Sequence, residues 1–416
     1  MDYKEIRNCR VCGSASLKPY LEFPNSPLAN KLVTQESPDS NKYPIKLLFC
    51  EECALSQLSV VVDPTIMFEN YVYHSSISET FKKHCYDMAV ELKEMYRPVE
   101  NKDWLIGEKP MPTVLDIASN DGCLLEQFQM VGYGVLGIEP SKNLSDMANE
   151  KLLMTIPEYF SEKVSMELFH SPSNQRSFVT ATNVLAHVDD INDFLLGVKH
   201  ALRQDGTFVC EVPYLPNLIN GNQFDTVYHE HLSYFLLGPL VRAFEKAGLH
   251  IFRVKEVPIH GGSLRIYAGK DNRQMEQSVE AYLDYEEMNG FYDYGKYLDF
   301  WVRDYGIGDK LLKLLRKIKE EGKIVVAYGA AAKGISFLNY FGISNKLIHS
   351  IVDETPAKWD KLAPGSLIPI VPFEAFEKIK PDYILLLAWN FKEELMRKTA
   401  HLGAKHIIAI PQLEVI

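Results

Sequence analysis

The chain has 416 residues, of which 46% are hydrophobic and 24% charged, and its formal net charge is −11. This length predicts two or three domains, and the acidic balance without a basic block argues against a nucleic-acid binder, whose affinity rests on positive charge. The sequence has no apolar run long enough to span a bilayer and no secretory signal in MDYKEIRNCRVC, so we expect a cytoplasmic protein that does not bind membranes.

The N-terminal region, residues 1–75, contains two C-x-x-C pairs. Cys9 and Cys12 form CRVC, and Cys50 and Cys53 form CEEC. Each short loop can present two thiolates to one ion, and two such loops complete a tetrahedral site suited to Zn2+. A redox pair or unrelated buried cysteines are the alternative, which this spacing in a reducing compartment disfavours. Four protein ligands leave no position for substrate, so we expect the zinc to be structural.

Residues 76–268 begin with a helical segment and then alternate apolar runs with helical patterns. Such alternation predicts a parallel sheet with helices on both faces, that is, a doubly wound α/β domain. The predicted strands are Thr113–Ile117, Gly134–Ile138, Phe178–Thr182, Thr207–Val212 and Ile251–Val254.

The segment TVLDIASNDGCLLEQF predicts a strand, a turn and a helix. Glu139 ends the next strand, where a carboxylate can bind both hydroxyls of a ribose. The turn contains Ala118, Asn120 and Gly122 but lacks the G-x-G-x-x-G that brings backbone amides onto a pyrophosphate, and Asp121 would repel an anion. The cationic, phosphate-free cofactor S-adenosylmethionine therefore fits better than a dinucleotide, although a structural turn could have a similar sequence.

The segment TATNVLAHVDDINDFL places Asn183 and His187 just beyond a strand end. Ligands of such sheets bind at the carboxyl ends of the strands, so both side chains are candidates to face the pocket. From position alone, a capping or core histidine is an equally good interpretation of His187.

The segment FDTVYHEHLSYF brings Tyr228, His229, Glu230 and His231 together in sequence. This cluster could form a metal site, an acid–base site or a polar turn. A metal site is disfavoured because further ligands do not recur at suitable spacing.

Residues 269–416 begin with helical sequence and continue as a second alternating α/β block. Its predicted strands are Ile324–Tyr328, Ile348–Val352, Tyr383–Leu387 and His406–Ile410. The segment KIVVAYGAAAKGISFLNYF is again a strand, a loop and a helix, and Lys333 adds positive charge at the helix N-terminus. A dinucleotide site is the competing interpretation, but G-x-G-x-x-G is absent here too.

Taken in order, several motifs resemble those of one family, the sugar C-methyltransferases that act on nucleotide-linked 4-keto-6-deoxysugars. The motifs are CRVC…CEEC, VLDIASNDGCLL, NVLAHV, YHEHLSYF, HGGSLRIYA, YGAAAKG and VDETPAKWDKLAPG, and the resemblance covers essentially the whole chain. It implies a zinc-binding domain, a central class I S-adenosylmethionine-dependent methyltransferase domain and a C-terminal Rossmann-like domain. The chain departs from the family at Ala118, where glycine is common, and in VDETPAK, which is less basic than the family pattern and bears on the preference for nucleotide or sugar.

The resemblance also implies catalytic roles. His231 would be the base that removes the C3 proton made acidic by the C4 ketone, and Glu230 and Tyr228 would shape the site. His187 would be the alternative base or the partner of O4. His229 alternates away from His231 if this segment is extended, so we expect His229 to be structural.

The other implied residues bind the cofactor or the substrate. Those expected at S-adenosylmethionine are Asp116, Ala118, Asn120, Gly122, Glu139 and Asn183. Those expected at the substrate are Tyr71, Gly262, Arg265 and Lys333, together with the lid residue Tyr73, which we also expect to act in catalysis.

The implied reaction is methylation at C3 of a TDP-linked or, less favoured, GDP-linked 4-keto-6-deoxysugar in branched deoxysugar biosynthesis, with S-adenosylhomocysteine as the second product. We expect the enzyme to be a monomer. One alternative is an NAD-dependent nucleotide-sugar oxidoreductase or epimerase, which the missing glycines weaken. Another is a non-catalytic binding protein stapled by zinc, which would not need the acid–base cluster.

Overall fold

The computed structural model describes residues 2–38, 40–68, 71, 74–96, 111–259, 261–271 and 273–416. Within these ranges the chain forms an N-terminal antiparallel region, a central seven-stranded sheet and a C-terminal six-stranded sheet. None of the helices in the described ranges combines the length and the hydrophobicity needed to cross a membrane.

The N-terminal region consists mainly of β-strands. Its elements are β1 (Tyr3–Glu5), β2 (Leu17–Pro27), β3 (Lys42–Cys50), β4 (Ser56–Leu58), β5 (Val60–Val62), α1 (Pro64–Phe68) and, leading to the next region, α2 (Glu79–Met95). β1 pairs with β5, while β2, β3 and β4 form an antiparallel sheet. The buried side chains of β2 and β3, Phe23 and Ile45 among them, face the core of the molecule.

The central region alternates strands and helices. Its strands are β6 (Thr113–Ile117), β7 (Gly134–Ile138), β8 (Thr155–Ile156), β9 (Arg176–Thr182), β10 (Leu202–Pro213), β11 (Ser233–Tyr234), β12 (His250–Val257) and β13 (Ser263–Gly269). Its helices are α3 (Cys123–Val131), α4 (Lys142–Glu150), α5 (Glu162–Leu168), α6 (Ile191–Ala201), α7 (Leu215–Asn220) and α8 (Leu237–Ala247).

The seven-stranded sheet has the order β12-β13-β10-β9-β6-β7-β8. All five predicted strands are confirmed, but the sheet is not wholly parallel, because β13 runs antiparallel to both β10 and β12. The reason is the connection: β12 and β13 are joined by a tight turn at Gly261 and Gly262, whose φ angles are +93° and +105°. A tight turn can join only antiparallel strands, since a parallel pair needs a long crossover.

The C-terminal region is a second α/β unit. Its elements are α9 (Gln277–Met288), α10 (Gly295–Glu320), β14 (Val325–Tyr328), α11 (Ala332–Tyr340), β15 (Ile351–Val352), β16 (Ile370–Val371), α12 (Ala375–Ile379), β17 (Tyr383–Leu386), α13 (Lys392–Thr399), β18 (Lys405–Ile408) and β19 (Glu414–Val415). The sheet order is β16-β15-β14-β17-β18-β19, and every pair is parallel except β18 with β19. The four predicted strands are present, and the second is shortened to β15.

The three regions share a core. The ring of Phe224 lies 6.3 Å from that of Phe23 and 5.7 Å from that of Phe337, so a central residue packs between the two outer regions. β11 belongs by sequence to the central region, yet it pairs with β4 and completes the N-terminal sheet. The domain boundaries predicted at residues 75 and 268 stay predictions, because the hydrophobic core is continuous across the three regions.

Candidate functional site

The four predicted zinc ligands lie together in space. The sulfur atoms of Cys9, Cys12, Cys50 and Cys53 are all within 4.8 Å of one another, and the Cys9–Cys53 and Cys12–Cys50 sulfur pairs are each 3.5 Å apart. A tetrahedral zinc ion with Zn–S bonds of about 2.3 Å holds its sulfurs about 3.8 Å apart. The donor set therefore fits a structural Zn2+ with no further coordination position.

Each cysteine pair is shaped by the same turn. After the second cysteine the chain adopts a left-handed conformation, with φ of +78° at Gly13 and +59° at Ala54. The N–H of Gly13 donates to the carbonyl of Cys9 at 2.9 Å, and the N–H of Ala54 donates to that of Cys50 at 2.8 Å. These matching turns direct two thiols of each pair to one point.

The loop between β6 and α3 has an unusual backbone. Ala118 and Asn120 adopt φ angles of +54° and +53°, and Gly122 has φ of +82°. A Cβ atom on Gly122 would lie 2.7 Å from Cδ1 of Leu153, so both the conformation and the space demand glycine. This geometry brings the backbone of the loop close to the carboxyl end of β6, where a ligand of an α/β sheet binds.

Glu139 follows β7 and faces this loop. Its two carboxylate oxygens accept the N–H groups of Asn120 at 2.9 Å and Ser141 at 2.8 Å. Burial raises the pKa of Glu139. The carboxylate retains acceptor capacity because each oxygen has a second lone pair, which suits the two hydroxyls of a ribose.

Two more carboxylates belong to this corner, Asp116 in β6 and Asp121 in the loop that follows. Asp116 is buried and accepts a hydrogen bond of 2.6 Å from the hydroxyl of Thr180, and burial raises the pKa of Asp116 to about 7. Asp121 is fully buried. In the described part of the chain neither these two nor Glu139 forms an ion pair with a cation. Such a site attracts a cationic sulfonium and repels the pyrophosphate of a dinucleotide.

Among the residues that the structure describes, several buried polar atoms near the loop have no hydrogen-bond partner. They are both amide atoms of Asn183, Oδ1 of Asp121 and Nδ1 of His187. Asn183 has φ of +58°, and its N–H donates to the carbonyl of Glu211, so its backbone is fixed while its amide side chain is left over. Buried polar groups are costly when unpaired, so this set fits a polar ligand such as S-adenosylmethionine.

The segment before α2 connects the loop to the Y-H-E-H cluster. The N–H of Ser75 donates to Oδ1 of Asn120 at 3.0 Å, and the hydroxyl of Ser76 donates to Asp121. The hydroxyl of Tyr71 donates to Glu230 at 2.7 Å. Tyr73 lies outside the described residues, so its expected substrate and catalytic roles stay predictions.

His187 and His231 lie next to each other. Their ring centroids are 4.9 Å apart, with the ring planes at 86°. Nδ1 of His231 lies 2.8 Å from the carbonyl oxygen of Thr226, which can only accept, so Nδ1 carries the proton and Nε2 has the lone pair. The hydroxyl of Tyr228 is 3.1 Å from this Nε2. His231 is thus held as the tautomer that can take up a proton at Nε2.

The neighbouring groups have shifted pKa values. Burial lowers the pKa of His187 to about 4, so this ring is neutral at pH 7. Burial raises the pKa of Glu230 to about 7, although Tyr71 and Asn30 donate to its carboxylate and oppose the shift. Titratable groups with strongly shifted pKa values that share one cleft are typical of catalytic sites.

His229 points away from this pair. Its Nε2 donates to the carbonyl of Tyr43 at 3.3 Å, and its ring packs on that of Tyr43 at 5.7 Å. This placement against the N-terminal region agrees with the structural role expected for it.

Two residues expected at the substrate occupy other surroundings. Arg265 is buried in an ion network, in which its guanidinium donates to Glu211 at 2.6 Å and to Glu91 at 2.8 Å. Gly262 forms the turn between β12 and β13, where an added Cβ would lie 2.3 Å from the amide nitrogen of Asn217. Both positions have a structural role in these contacts, and their expected substrate roles stay predictions.

Lys333 faces the central region rather than open solvent. Its ammonium lies 5.7 Å from the centre of the Trp389 ring, and Asp225 opposes the lowering of the Lys333 pKa that burial causes. The indole N–H of Trp389 donates to Asp225 at 2.7 Å. Lys333 therefore contributes to an inter-region contact, and a role at a diphosphate stays a prediction.

Sequence reasoning missed two residues of the cluster. Thr226 fixes the tautomer of His231 through its backbone carbonyl, which no side-chain pattern can reveal. Asn30 donates to Glu230 at 2.7 Å from a distant part of the chain. The nearness of Thr226 to the cluster in sequence was the only available signal, and Asn30 had none.

Comparisons with known proteins agree with this geometry. Family models match a zinc binding domain at residues 9–68, a methyltransferase domain at 91–254 and a C-methyltransferase C-terminal domain at 258–411. The C-methyltransferase NovU of Streptomyces niveus is 33% identical over 423 residues, which cover 99% of this chain and 97% of that protein.

Solved structures are similar over a smaller part of the chain. Magnesium protoporphyrin IX methyltransferase of Synechocystis PCC 6803 is 12% identical with a TM-score of 0.33, covering 46% of this chain and 79% of that one. An S-adenosylmethionine-dependent methyltransferase of Clostridium acetobutylicum is 11% identical with a TM-score of 0.33, covering 45% and 91%. The evidence for the family comes from the family models and from NovU.

Proposed function

The chain belongs to the family of S-adenosylmethionine-dependent C-methyltransferases, and from this premise we propose that it methylates C3 of a nucleotide-linked 4-keto-6-deoxysugar. TDP is the favoured nucleotide and GDP the second choice. The observation that carries the proposal is His231, held as a single tautomer beside His187 and Glu230. C-methylation requires a carbanion, and a base of this kind is what a carbon acid next to a ketone needs.

His231 is the better of the two candidate bases. Its Nδ1–H donates to Thr226, so the lone pair lies on Nε2, 3.1 Å from the Tyr228 hydroxyl, and Nε2 is the atom that accepts the proton from C3. The electron pair of the C3–H bond then moves towards O4 of the ketone and forms an enolate. His187 is a weak base, because burial lowers its pKa to about 4. In its neutral form His187 can still act as the hydrogen-bond partner of O4.

Tyr228 has a role that follows from the protonation of His231. Its hydroxyl is 3.1 Å from Nε2 and can donate to that nitrogen while the nitrogen is unprotonated. Once Nε2 has taken the substrate proton, it can no longer accept, and the hydroxyl becomes available to the enolate oxygen. A donor that appears as the negative charge develops stabilises the transition state more than the ground state.

The central sheet supports the cofactor role. When bound, S-adenosylmethionine supplies the electrophilic methyl group and leaves as S-adenosylhomocysteine. Glu139 would hold the ribose hydroxyls, Asp116 and the loop from Ala118 to Gly122 would border the sulfonium, and Asn183 would use its unpaired amide. The zinc site lies in the N-terminal region and supplies no electrophile to this scheme.

The test uses S-adenosylmethionine labelled with 13C in its methyl group and a panel of TDP- and GDP-linked 4-keto-6-deoxyhexoses. We expect one added methyl group by mass and a 13C signal on C3 by NMR. The 4-hydroxy counterpart of each sugar is the matched control, since without the ketone the C3 proton is not acidic and no methyl transfer should occur. Deuterium from solvent should enter C3 of the ketosugar in the absence of the donor.

The outcomes separate the parts of the proposal. Label on C5, the other carbon next to the ketone, would refute the position and keep the mechanism. Absence of both methyl transfer and deuterium uptake with every ketosugar would refute the substrate class. The proposal also takes the enzyme to be a cytoplasmic monomer, and light scattering of the purified protein measures the oligomeric state.

A further inference from the structure

The zinc-binding CRVC loop contains an arginine that the chemistry above does not use. Arg10 stands between Cys9 and Cys12, and its side chain is only 3% exposed. A buried guanidinium is costly unless its donors are paired, so its partners indicate its role. These partners belong to the two chain segments that carry His187 and His231.

The first partner is on the His187 side. Nε of Arg10 donates to Oδ1 of Asp189 at 3.1 Å, and Asp189 is two residues beyond His187. The side chain of Lys4 also pairs with Asp189, at 2.5 Å, so the N-terminal region holds this carboxylate with two cations.

The second partner is on the His231 side. Nη1 of Arg10 donates to the carbonyl of Leu232 at 3.2 Å and to that of Leu58 at 3.0 Å. Leu232 directly follows His231, and its own N–H donates to the carbonyl of Ala186 at 2.7 Å. One guanidinium therefore joins both histidine segments at the place where they also touch each other.

The backbone of Arg10 is fixed at the metal site. Its N–H donates to the side chain of Gln57 at 2.9 Å, and Gln57 donates to the carbonyl of Asn8 at 3.1 Å. Gln57 lies on β4 opposite Ser233 of β11, the strand that begins two residues after His231. The position of Arg10 thus depends on the CRVC turn that presents Cys9 and Cys12 to the metal site.

We propose that Arg10 is a positioning residue that transmits the geometry of the zinc site to the pair His187 and His231. The zinc ion then fixes the relative placement of the two rings as well as the fold of the N-terminal region. The catalytic part of this inference rests on the proposed function, whereas the placement of the rings does not depend on any substrate.

The test compares Arg10→Gln and Arg10→Lys in the full-length zinc-loaded protein with Arg7→Gln. Arg7 is the matched control, because it is an arginine two residues before Cys9 in the same segment, but it is exposed. The first readout is the 1H–15N NMR signals of the histidine rings without substrate, assigned with His231→Asn and His187→Asn. We expect the signals of His187 and His231 to shift in Arg10→Gln, less in Arg10→Lys and not in Arg7→Gln. Removal of the metal by a chelator should shift the same two signals.

The second readout is kinetic. A displacement of catalytic groups of about 1 Å costs about a hundredfold in rate, so we expect kcat of Arg10→Gln to fall by about ten- to a hundredfold. The KM and the Kd of S-adenosylmethionine should stay within about twofold, and cobalt-loaded variants should keep their thiolate absorption.

Unchanged histidine ring signals in folded Arg10→Gln would overturn the proposal. A fall in kcat that is fully explained by the fraction of protein that has lost its metal would overturn it as well. If Arg10→Gln does not fold, Asp189→Ala removes this partner of Arg10 at a residue whose side chain is 29% exposed, and it decides by the same signals. Shifted ring signals without activity on any ketosugar would support the role of Arg10 and contradict the proposed substrate instead.

Discussion

The central and C-terminal α/β units contain the same strand–loop–helix corner and use it differently. In both, an acidic residue after the second strand accepts an N–H from the loop: Glu139 from Asn120 at 2.9 Å, and Asp353 from Ala330 at 2.8 Å. In the C-terminal unit, Lys358 pairs with Asp353 at 3.1 Å and also donates to the carbonyl of Ala330 at 3.0 Å.

The added lysine changes what the corner can bind. The ammonium of Lys358 neutralises Asp353 and occupies the carbonyl of the loop, so the C-terminal corner is satisfied by its own side chains. Glu139 and Asp116 have no such cation among the described ion pairs, and Asn183 keeps unpaired amide atoms. The C-terminal corner therefore stabilises its own fold through these contacts. The central corner retains the negative charge and the hydrogen-bond acceptors that a sulfonium nucleoside needs.

The largest expected effect concerns where the chemistry takes place. If the central unit performs it, His231→Asn should lower kcat by about a hundred- to ten-thousandfold, the range that a general base contributes. The Kd of S-adenosylmethionine, measured by calorimetry, should hardly change, because His231 is not among the cofactor residues. Asp353→Asn, in the corner of the C-terminal unit, is the control and should keep kcat near that of the unsubstituted enzyme. Near-normal turnover of His231→Asn would assign the base elsewhere.

The next effect concerns the two acidic residues at the corners. Glu139→Gln removes a charged acceptor of the ribose hydroxyls, and hydrogen bonds to charged groups contribute about 1.5–3 kcal/mol. We expect the Kd of S-adenosylmethionine to rise by about ten- to a hundredfold. Asp353→Asn should leave this Kd unchanged. Equal effects of the two substitutions would show that the corners do not differ as described.

A smaller effect follows from the pKa of Asp116, which burial raises to about 7 in the free protein. A bound sulfonium favours the ionised form of the Asp116 carboxylate, so the pKa of Asp116 falls when the cofactor binds. Below about pH 7, cofactor binding therefore releases a proton. Affinity should therefore rise with pH through about 7, by about tenfold between pH 6 and 8. Calorimetric titrations at several pH values measure this, and Asp116→Asn should flatten the dependence. A flat profile in the parent protein would contradict the assignment.

The smallest effect tests the C-terminal unit as a support for the catalytic segment. Trp389→Phe keeps an aromatic ring at this position but removes the indole N–H that donates to Asp225. The buried carboxylate of Asp225 then has one hydrogen-bond donor fewer. We expect unfolding to become easier by about 1–3 kcal/mol and kcat to fall only a few-fold. Denaturant unfolding and steady-state kinetics measure the two changes. An unchanged stability would mean that the contact is dispensable.

The sequence predicted local features well. The spacing of the cysteines indicated the zinc site, and the strand predictions gave five of the seven strands of the central sheet and four of the six strands of the C-terminal sheet. β13 (Ser263–Gly269) was missed because the two glycines before it and Arg265 within it favoured a substrate-binding segment, and its direction depends on the turn before it. The ion pairs of Arg265 could not be predicted, because a polar residue on a strand gives no sign of which buried carboxylates it will meet, and its substrate role stays a prediction.

By itself the sequence determined the zinc ligands, the carboxylate of Glu139 directly after β7 and the absence of a phosphate-binding G-x-G-x-x-G loop. These features depend on residues close together in the chain. Only the tertiary structure decided that Thr226 sets the tautomer of His231, that Asn30 and Tyr71 hold Glu230, and that Arg10 reaches both histidine segments. Those contacts join positions far apart in sequence or use backbone atoms, and neither leaves a pattern in the order of side chains. Packing of three regions around one core creates them.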